Sequence, residues 1–233
     1  VALLSSTDSA QVGKLFSQLT QDVHVRFYTQ MLNCSGCAET EAILAELAGL
    51  SDRIRLEKIN ALTETDRRQA DGVEHVPAMI ISDGTHDRVR LYGTPSGYEF
   101  TTLLTALMDA GAGSATLEQP TLDFLAALGS DLRIRVFVTP TCPYCPRSAV
   151  LAMRMAQASP RVRAEVVEAN DFPELSMKYG VQGVPRTVVN ERFYAEGAIS
   201  EADLTAALGR AALLPAEGPE VDLSALARNP ASE

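Results

Sequence analysis

The sequence predicts an α/β protein made of two tandem units, each a mixed four-stranded sheet flanked by helices. Three observations predict it. One fixed offset aligns the chain with itself, β-rich and helical stretches alternate within each repeat, and a cysteine pair recurs at the same place in both. Shifted by 108 residues, Cys34 falls on Cys142, Cys37 on Cys145, Gly72 on Gly180, Val73 on Val181, Val76 on Val184 and Pro77 on Pro185. RIRLE (53–57) falls on RVRAE (161–165). Self-similarity at one offset marks a duplicated supersecondary unit.

Each unit reads in the same order. A β-rich run comes first, VHVRFY (23–28) or RIRVFV (133–138). The C-x-x-C then opens an alanine-rich helix, 37–50 or 145–158. A second strand follows (53–59, 161–168), then a polar helix (63–71, 172–179). After Val-Pro come two short strands, AMIIS and DRVRLY in the first unit, RTVVN and RFYAE in the second. A helix closes each unit (97–110, 200–213), and another precedes it (8–19, about 120–129). Strands separated by helices pair in parallel, and adjacent short strands form a hairpin. AGAGSATLEQP (110–120) reads as the joint. The expected boundaries are 1–115, 116–214 and a flexible tail over 215–233.

The order β-α-β-α-β-β-α, with C-x-x-C at the first strand-to-helix turn and Val-Pro before the hairpin, is that of the thioredoxin fold. The stretches FVTPTCPYCP (137–146) and VRLYGTPSGYEF (89–100), together with the paired Val-Pro sites, carry a closer resemblance. The chain resembles the tandem glutaredoxin-like protein disulfide oxidoreductases of thermophilic archaea and bacteria. That resemblance extends from the first helix to about residue 213. It implies reduction, and also oxidation or isomerisation, of disulfides in client proteins. It implies a flavoprotein thioredoxin reductase as electron source and a peroxiredoxin as one client, in the cytoplasm. No cofactor is expected beyond the redox-active disulfides Cys34–Cys37 and Cys142–Cys145. A dedicated electron relay to one peroxidase, like the tandem domain of the alkyl hydroperoxide reductase flavoprotein, is the alternative.

Composition narrows the field. The net charge of −10 argues against nucleic acid and anionic membrane as partners, since both demand a basic face. No apolar run is long enough to span a bilayer, and VALLSSTDSA lacks the pattern of a secretory signal. All four cysteines lie in C-x-x-C pairs, which suits a reducing compartment. Two such pairs are also compatible with a four-cysteine zinc site, but they stand far apart in sequence, each in its own repeat. A disulfide across so short a loop adds little stability. Thiol–disulfide exchange explains more of the residues.

Cys142 precedes a helix, where unpaired N–H groups favour a thiolate, and Cys145 lies about one turn on to resolve a mixed disulfide. Pro143 stiffens the CPYC loop, Tyr144 completes it, and Arg147 adds positive charge nearby. In the family the Val184-Pro185 bond is cis, setting proline against the sulfurs and offering the valine backbone to an extended client. Cys34, Cys37, Val76 and Pro77 repeat these parts in the first unit. There the spacer is Ser35-Gly36, the approach TQMLNC is two residues longer, and Glu39 and Glu41 stand in the helix's first turn. These differences make Cys142/Cys145 the expected dominant site. Departures from the family remain. One glycine in YAEGAIS replaces the glycine pair that glutaredoxins place near glutathione. Tyr28, Val136 and Arg26 stand where thioredoxins carry a buried acid. His75 reads as a lone exposed histidine.

Overall fold

The computed structural model describes residues 3–113, 116–215 and 217–228. The first unit runs α1 (Ser6–Phe16), β1 (Val23–Thr29), α2 (Cys37–Ala48), β2 (Ile54–Asn60), α3 (Thr65–Ala70), β3 (Ala78–Ser82), β4 (Val89–Tyr92) and α4 (Tyr98–Ala112). The second runs α5 (Gln119–Ala126), β5 (Leu132–Val138), α6 (Cys145–Ala158), β6 (Val162–Glu168), α7 (Pro173–Lys178), β7 (Arg186–Val189), β8 (Phe193–Glu196) and α8 (Glu201–Ala211). Every element expected from the repeat is present. Helix α4 runs into the stretch read as a joint, and residues 114–115 of that joint lie outside the described residues.

Local chemistry explains the boundaries. Ser5 and Ser200 cap α1 and α8, each accepting from the backbone N–H three residues on (Asp8 and Asp203, both 3.1 Å). The repeated Gly-Val ends α3 and α7. Gly72 and Gly180 have φ of +60° and +57°, and the following Val73 and Val181 N–H groups donate to carbonyls five residues back, at 3.0 and 2.9 Å. This is the left-handed helix stop that glycine permits, and it turns the chain towards the Val-Pro sites.

The units are not two separate sheets. They form one nine-stranded sheet in the order β2-β1-β3-β4-β6-β5-β7-β8, with β9 (Val221–Asp222) following β8. Edge strand β4 of the first unit pairs in parallel with β6 of the second, Val89 opposite Ala164 through Tyr92 opposite Val167. One face of the sheet carries the larger core, with Phe27, Leu103, Ile134, Met155 and Ala207 buried among the long helices. The other face packs Tyr28, Ile80, Tyr92, Phe137 and Val167 against Val73 and Tyr179, which follow α3 and α7.

On that second face a buried carboxylate lies beside the seam. Glu165, in β6, accepts from Arg133 Nε (2.9 Å) and from Arg135 Nε and Nη2 (3.0 and 2.9 Å). Arg133 also reaches Glu74 of the first unit at 3.3 Å.

The tail expected to be flexible packs instead. Strand β9 (Val221–Asp222) pairs in parallel with β8, and α9 (Leu223–Arg228) lies against α8 and β8. Leu223 is fully buried, so the tail contributes to the core; residues 216 and 229–233 of that expected tail lie outside the described ones. Leu223→Ala is expected to cost about 2–5 kcal/mol, as other buried leucine truncations do. The check is a lowered urea midpoint with unchanged slope; an unmoved midpoint means the tail is not docked in solution.

Candidate active site

Strand direction places the chemistry. Only β3 and β7 run against the other strands. The C-terminal ends of β1 and β5 therefore lie at one edge of the sheet, and β3 and β7 begin there. Both C-x-x-C turns and both Val-Pro turns consequently share that edge. β1 and β5 are four strand spacings apart, so the sites are separated by roughly 19 Å across the sheet.

Each cysteine pair is a disulfide with Cα atoms 5.5 Å apart. In each, the second cysteine opens a helix and is the more deeply buried. Cys145 is fully buried and Cys142 is 8 % exposed; Cys37 is buried and Cys34 half-buried. The first cysteine of each pair is thus the one a client can reach. The Val76–Pro77 and Val184–Pro185 peptide bonds are both cis. Cys142 Sγ lies 3.7 Å from the Val184 carbonyl oxygen, so the second Val-Pro turn faces its sulfurs. Pro143 and Tyr144 project into solvent, Tyr144 at 69 % exposure.

The two sites differ electrically. The Cys145 N–H points at Cys142 Sγ from 3.1 Å, a donor that favours negative charge there. Among the described residues no backbone N–H does this for Cys34. Glu39 alone stands in the first turn of α2; Glu41 lies beyond it and pairs with Lys58 at 2.5 Å. Arg147 is exposed and lines a groove of about 580 Å³ with Val150, Arg154, Glu118 and Glu201. The approach to Cys34 spans residues 30–33 against 139–141 at the second site, one residue longer rather than two, and Asn33 takes a left-handed φ of 54°.

Between the sites lies the GTPSGYE segment (93–99). Gly93 has φ +101°, and a Cβ there would stand 2.6 Å from Glu168 Cβ. Thr94 N–H donates to Asp171 Oδ2 at 2.7 Å. A side chain at Gly36, inside the first C-x-x-C, would overlap the Thr94 hydroxyl. A side chain at Gly97 would overlap the Pro140 carbonyl, which accepts the Tyr98 N–H at 2.9 Å. One loop therefore touches the first site at Thr94 and the approach to the second at Gly97 and Tyr98.

Several residues at this edge escape sequence reasoning. Met31, Leu32 and Tyr98 are large and exposed around the two sites, beside the Tyr144 that the sequence itself names. Their positions in loops after strands would have flagged them had loop residues been searched for apolar side chains. His75 is half-buried rather than exposed, its ring 5.4 Å from that of Phe172 in the second unit; burial lowers its pKa. A buried acid stands at the start of α4. Glu99 is 4 % exposed, and burial pushes its carboxyl up to about 7, the Glu168 charge adding to this and the Thr102 hydroxyl opposing it. Among the described residues no three His, Cys, Asp or Glu side chains converge as a metal site, and the two cysteine pairs do not meet.

Residues 132–209 match a family model described as Thioredoxin domain. The second unit has the thioredoxin fold. Across both units the chain is similar to the alkylhydroperoxide reductase AhpF from Enterococcus faecalis. That structure superposes with a TM-score of 0.81 at 28 % identity, over 88 % of this chain and 99 % of that one. It is equally similar to a protein disulfide oxidoreductase from Aeropyrum pernix, with a TM-score of 0.81 at 26 % identity, over 88 % of this chain and 92 % of that one. Among curated relatives, the AhpF protein of Escherichia coli is 24 % identical over 204 residues. Those residues are 88 % of this chain but 37 % of the relative, so the chain spans little more than a third of that protein's length. Two C-x-x-C disulfides set in this fold are an arrangement that thiol–disulfide exchange can use.

Glu99 carries a pH signature. Its folded pKa of about 7 stands above the ordinary carboxylate value, so between pH ~4.5 and ~7 the folded state keeps a proton that the unfolded state has lost. Stability therefore falls across that window. Glu99→Gln is expected to be more stable than the parent by about 3 kcal/mol at pH 8 and equal to it near pH 4. Urea denaturation at the two pH values checks this; a gain that is the same at both would remove the ionisation as its cause.

Proposed function

We propose that the protein reduces disulfides of client proteins in a reducing cytoplasm, through two dithiol sites fed by a flavoprotein thioredoxin reductase. The observation that carries this reading is the shared edge, where both disulfides and both Val-Pro turns open beside the exposed Met31, Leu32, Tyr98 and Tyr144. Exposed apolar side chains around a redox site suit protein clients more than small polar disulfides.

The chemistry follows from the sulfurs. In the reduced protein the Cys142 thiolate attacks one sulfur of a client disulfide. The client's S–S bond breaks, a mixed disulfide forms, and the other client sulfur leaves as a thiolate. Cys145, held at the start of α6, then attacks Cys142 Sγ and releases the second client thiolate. Two electrons pass to the client, whose thiolates take up protons from water, and Cys142–Cys145 is again a disulfide. The backbone of the half-buried Val184, beside Cys142, is positioned to hold an extended client segment as an added strand. No further group is needed to carry electrons.

The donor at Cys142 and its absence at Cys34 support an order of flow. The second pair is the more oxidising and meets clients; the first receives electrons from the reductase and passes them on. The similarity to the alkylhydroperoxide reductase AhpF favours a second reading, in which one peroxiredoxin is the sole acceptor.

Reduction of insulin, followed by turbidity, tests both readings. Cys142→Ser is expected to lose most of the dithiothreitol-driven activity and Cys34→Ser to keep most of it. A larger loss in Cys34→Ser would reverse the order of the sites. A parent protein inactive on insulin and other unrelated disulfides, yet active with a peroxiredoxin, would select the dedicated relay.

A further inference from the structure

Asp171 belongs to the second unit, in the turn after β6, yet its carboxylate lies against the loop that carries the first cysteine pair. Its Oδ2 lies 3.0 Å from the position a Cβ would take at Gly93 and 3.5 Å from the corresponding position at Gly36. Gly36 sits inside the Cys34–Cys37 loop, and Pro77 Cγ lies 3.6 Å from the same point. Carboxylate, Thr94 and Pro77 thus crowd one face of that loop, the face on which the Val76–Pro77 turn stands. The turn carrying Asp171 is itself pinned, since its N–H donates to Glu168 Oε2 at 2.6 Å and the Thr94 N–H holds Oδ2 at 2.7 Å. Thr63 occupies the equivalent place in the repeat, beyond β2. The sheet order puts the β6 turn beside the β4 turn, and the distances to Gly93 and Gly36 set the Asp171 carboxylate against the first C-x-x-C loop across the seam.

We propose that Asp171 is a positioning residue of the first dithiol site, supplied by the other unit, whose charge makes Cys34–Cys37 the more reducing pair and disfavours anionic disulfides there. A carboxylate close to a cysteine opposes its thiolate, and what opposes the thiolate opposes the reduced form. The same charge repels a disulfide carrying net negative charge, such as glutathione disulfide, and leaves a neutral one unaffected. The inference rests on the reading that the first pair exchanges electrons.

The test uses the full chain with Cys142 and Cys145 changed to serine, so that only the first pair titrates. Asp171→Asn removes the charge and keeps an oxygen for the Thr94 N–H. It is expected to shift the equilibrium with dithiothreitol about tenfold towards the reduced form, which is about 30 mV for a two-electron couple. It should also raise the rate with glutathione disulfide relative to hydroxyethyl disulfide, the gain shrinking at high salt. Asp171→Glu should stay near the parent on both measures. With the first pair changed to serine instead, Asp171→Asn should leave the second pair's equilibrium unmoved. An unshifted first pair, or equal shifts at both pairs, overturns the inference and leaves the redox reading standing. A first pair that takes up no electrons in the parent overturns both.

Discussion

Parallel pairing of β4 with β6 is the constraint on which the rest of the molecule depends. A strand edge presents unpaired backbone groups that must be paired, covered or charged. In each unit the inner strands are satisfied, leaving β2 and β4 in the first, and β6 and β8 in the second, as edges. The seam satisfies β4 and β6 together, and β9 from the tail covers β8. Strand β2 keeps its outer side and carries Arg55, Glu57 and Lys58. The repeated RIRLE and RVRAE segments record this difference. Glu57, on the outer strand, makes an exposed pair with Arg67, whereas its counterpart Glu165 is buried between two arginines. A buried carboxylate is tolerated only when fully paired, so the arginines of β5 are part of what lets the units join.

The same pairing brings the ends of β4 and β6 together, and with them the loops that follow. Residues 93–99 and 168–172 fill the gap between the two sites. That gap is narrow enough to require glycine where the chain turns with positive φ against a neighbour. Gly93 meets Glu168 and Asp171, and Gly97 meets the Pro140 carbonyl. The stretch VRLYGTPSGYEF, which on sequence alone was a mark of resemblance, has a physical reason in this crowding.

Much of the arrangement was legible in the residues. The offset of 108, the cysteine pairs and the Gly-Val-x-x-Val-Pro segments fix each unit, because left-handed glycine, helix start and Val-Pro turn are local requirements written in local residue types. The single sheet was not legible. Nothing in β4 or β6 names the other as its partner: β4 is a four-residue strand with Arg90 on one face, and β6 a seven-residue strand with Arg163 and Glu165 on the same face. The tail misled for a related reason: a two-residue strand and a six-residue helix give too little periodicity to register, and Leu223 shows its role only once β8 is seen to lack a neighbour. At the sites, the cysteines and prolines were recoverable from spacing. Glu99, His75 and Asp171 were not, because their environments are made by residues distant in sequence or by the other unit.

Duplication supplies two copies of one chemical device, and placement in the sheet makes them unequal. The second site keeps the features its own loop provides, a rigid CPYC turn and an N–H aimed at the outer sulfur. The first site stands on the seam side of its unit, so it inherits a neighbour's turn as well as its own CSGC loop. Its glycine spacer follows from that position, since any side chain at residue 36 would strike Thr94. The softer loop is therefore not a sign of decay. It is the residue choice that a dithiol needs when the Thr94 loop, itself held by Asp171 of the other half, packs against it, and the same packing gives two similar cysteine pairs different electrostatic surroundings on one open edge.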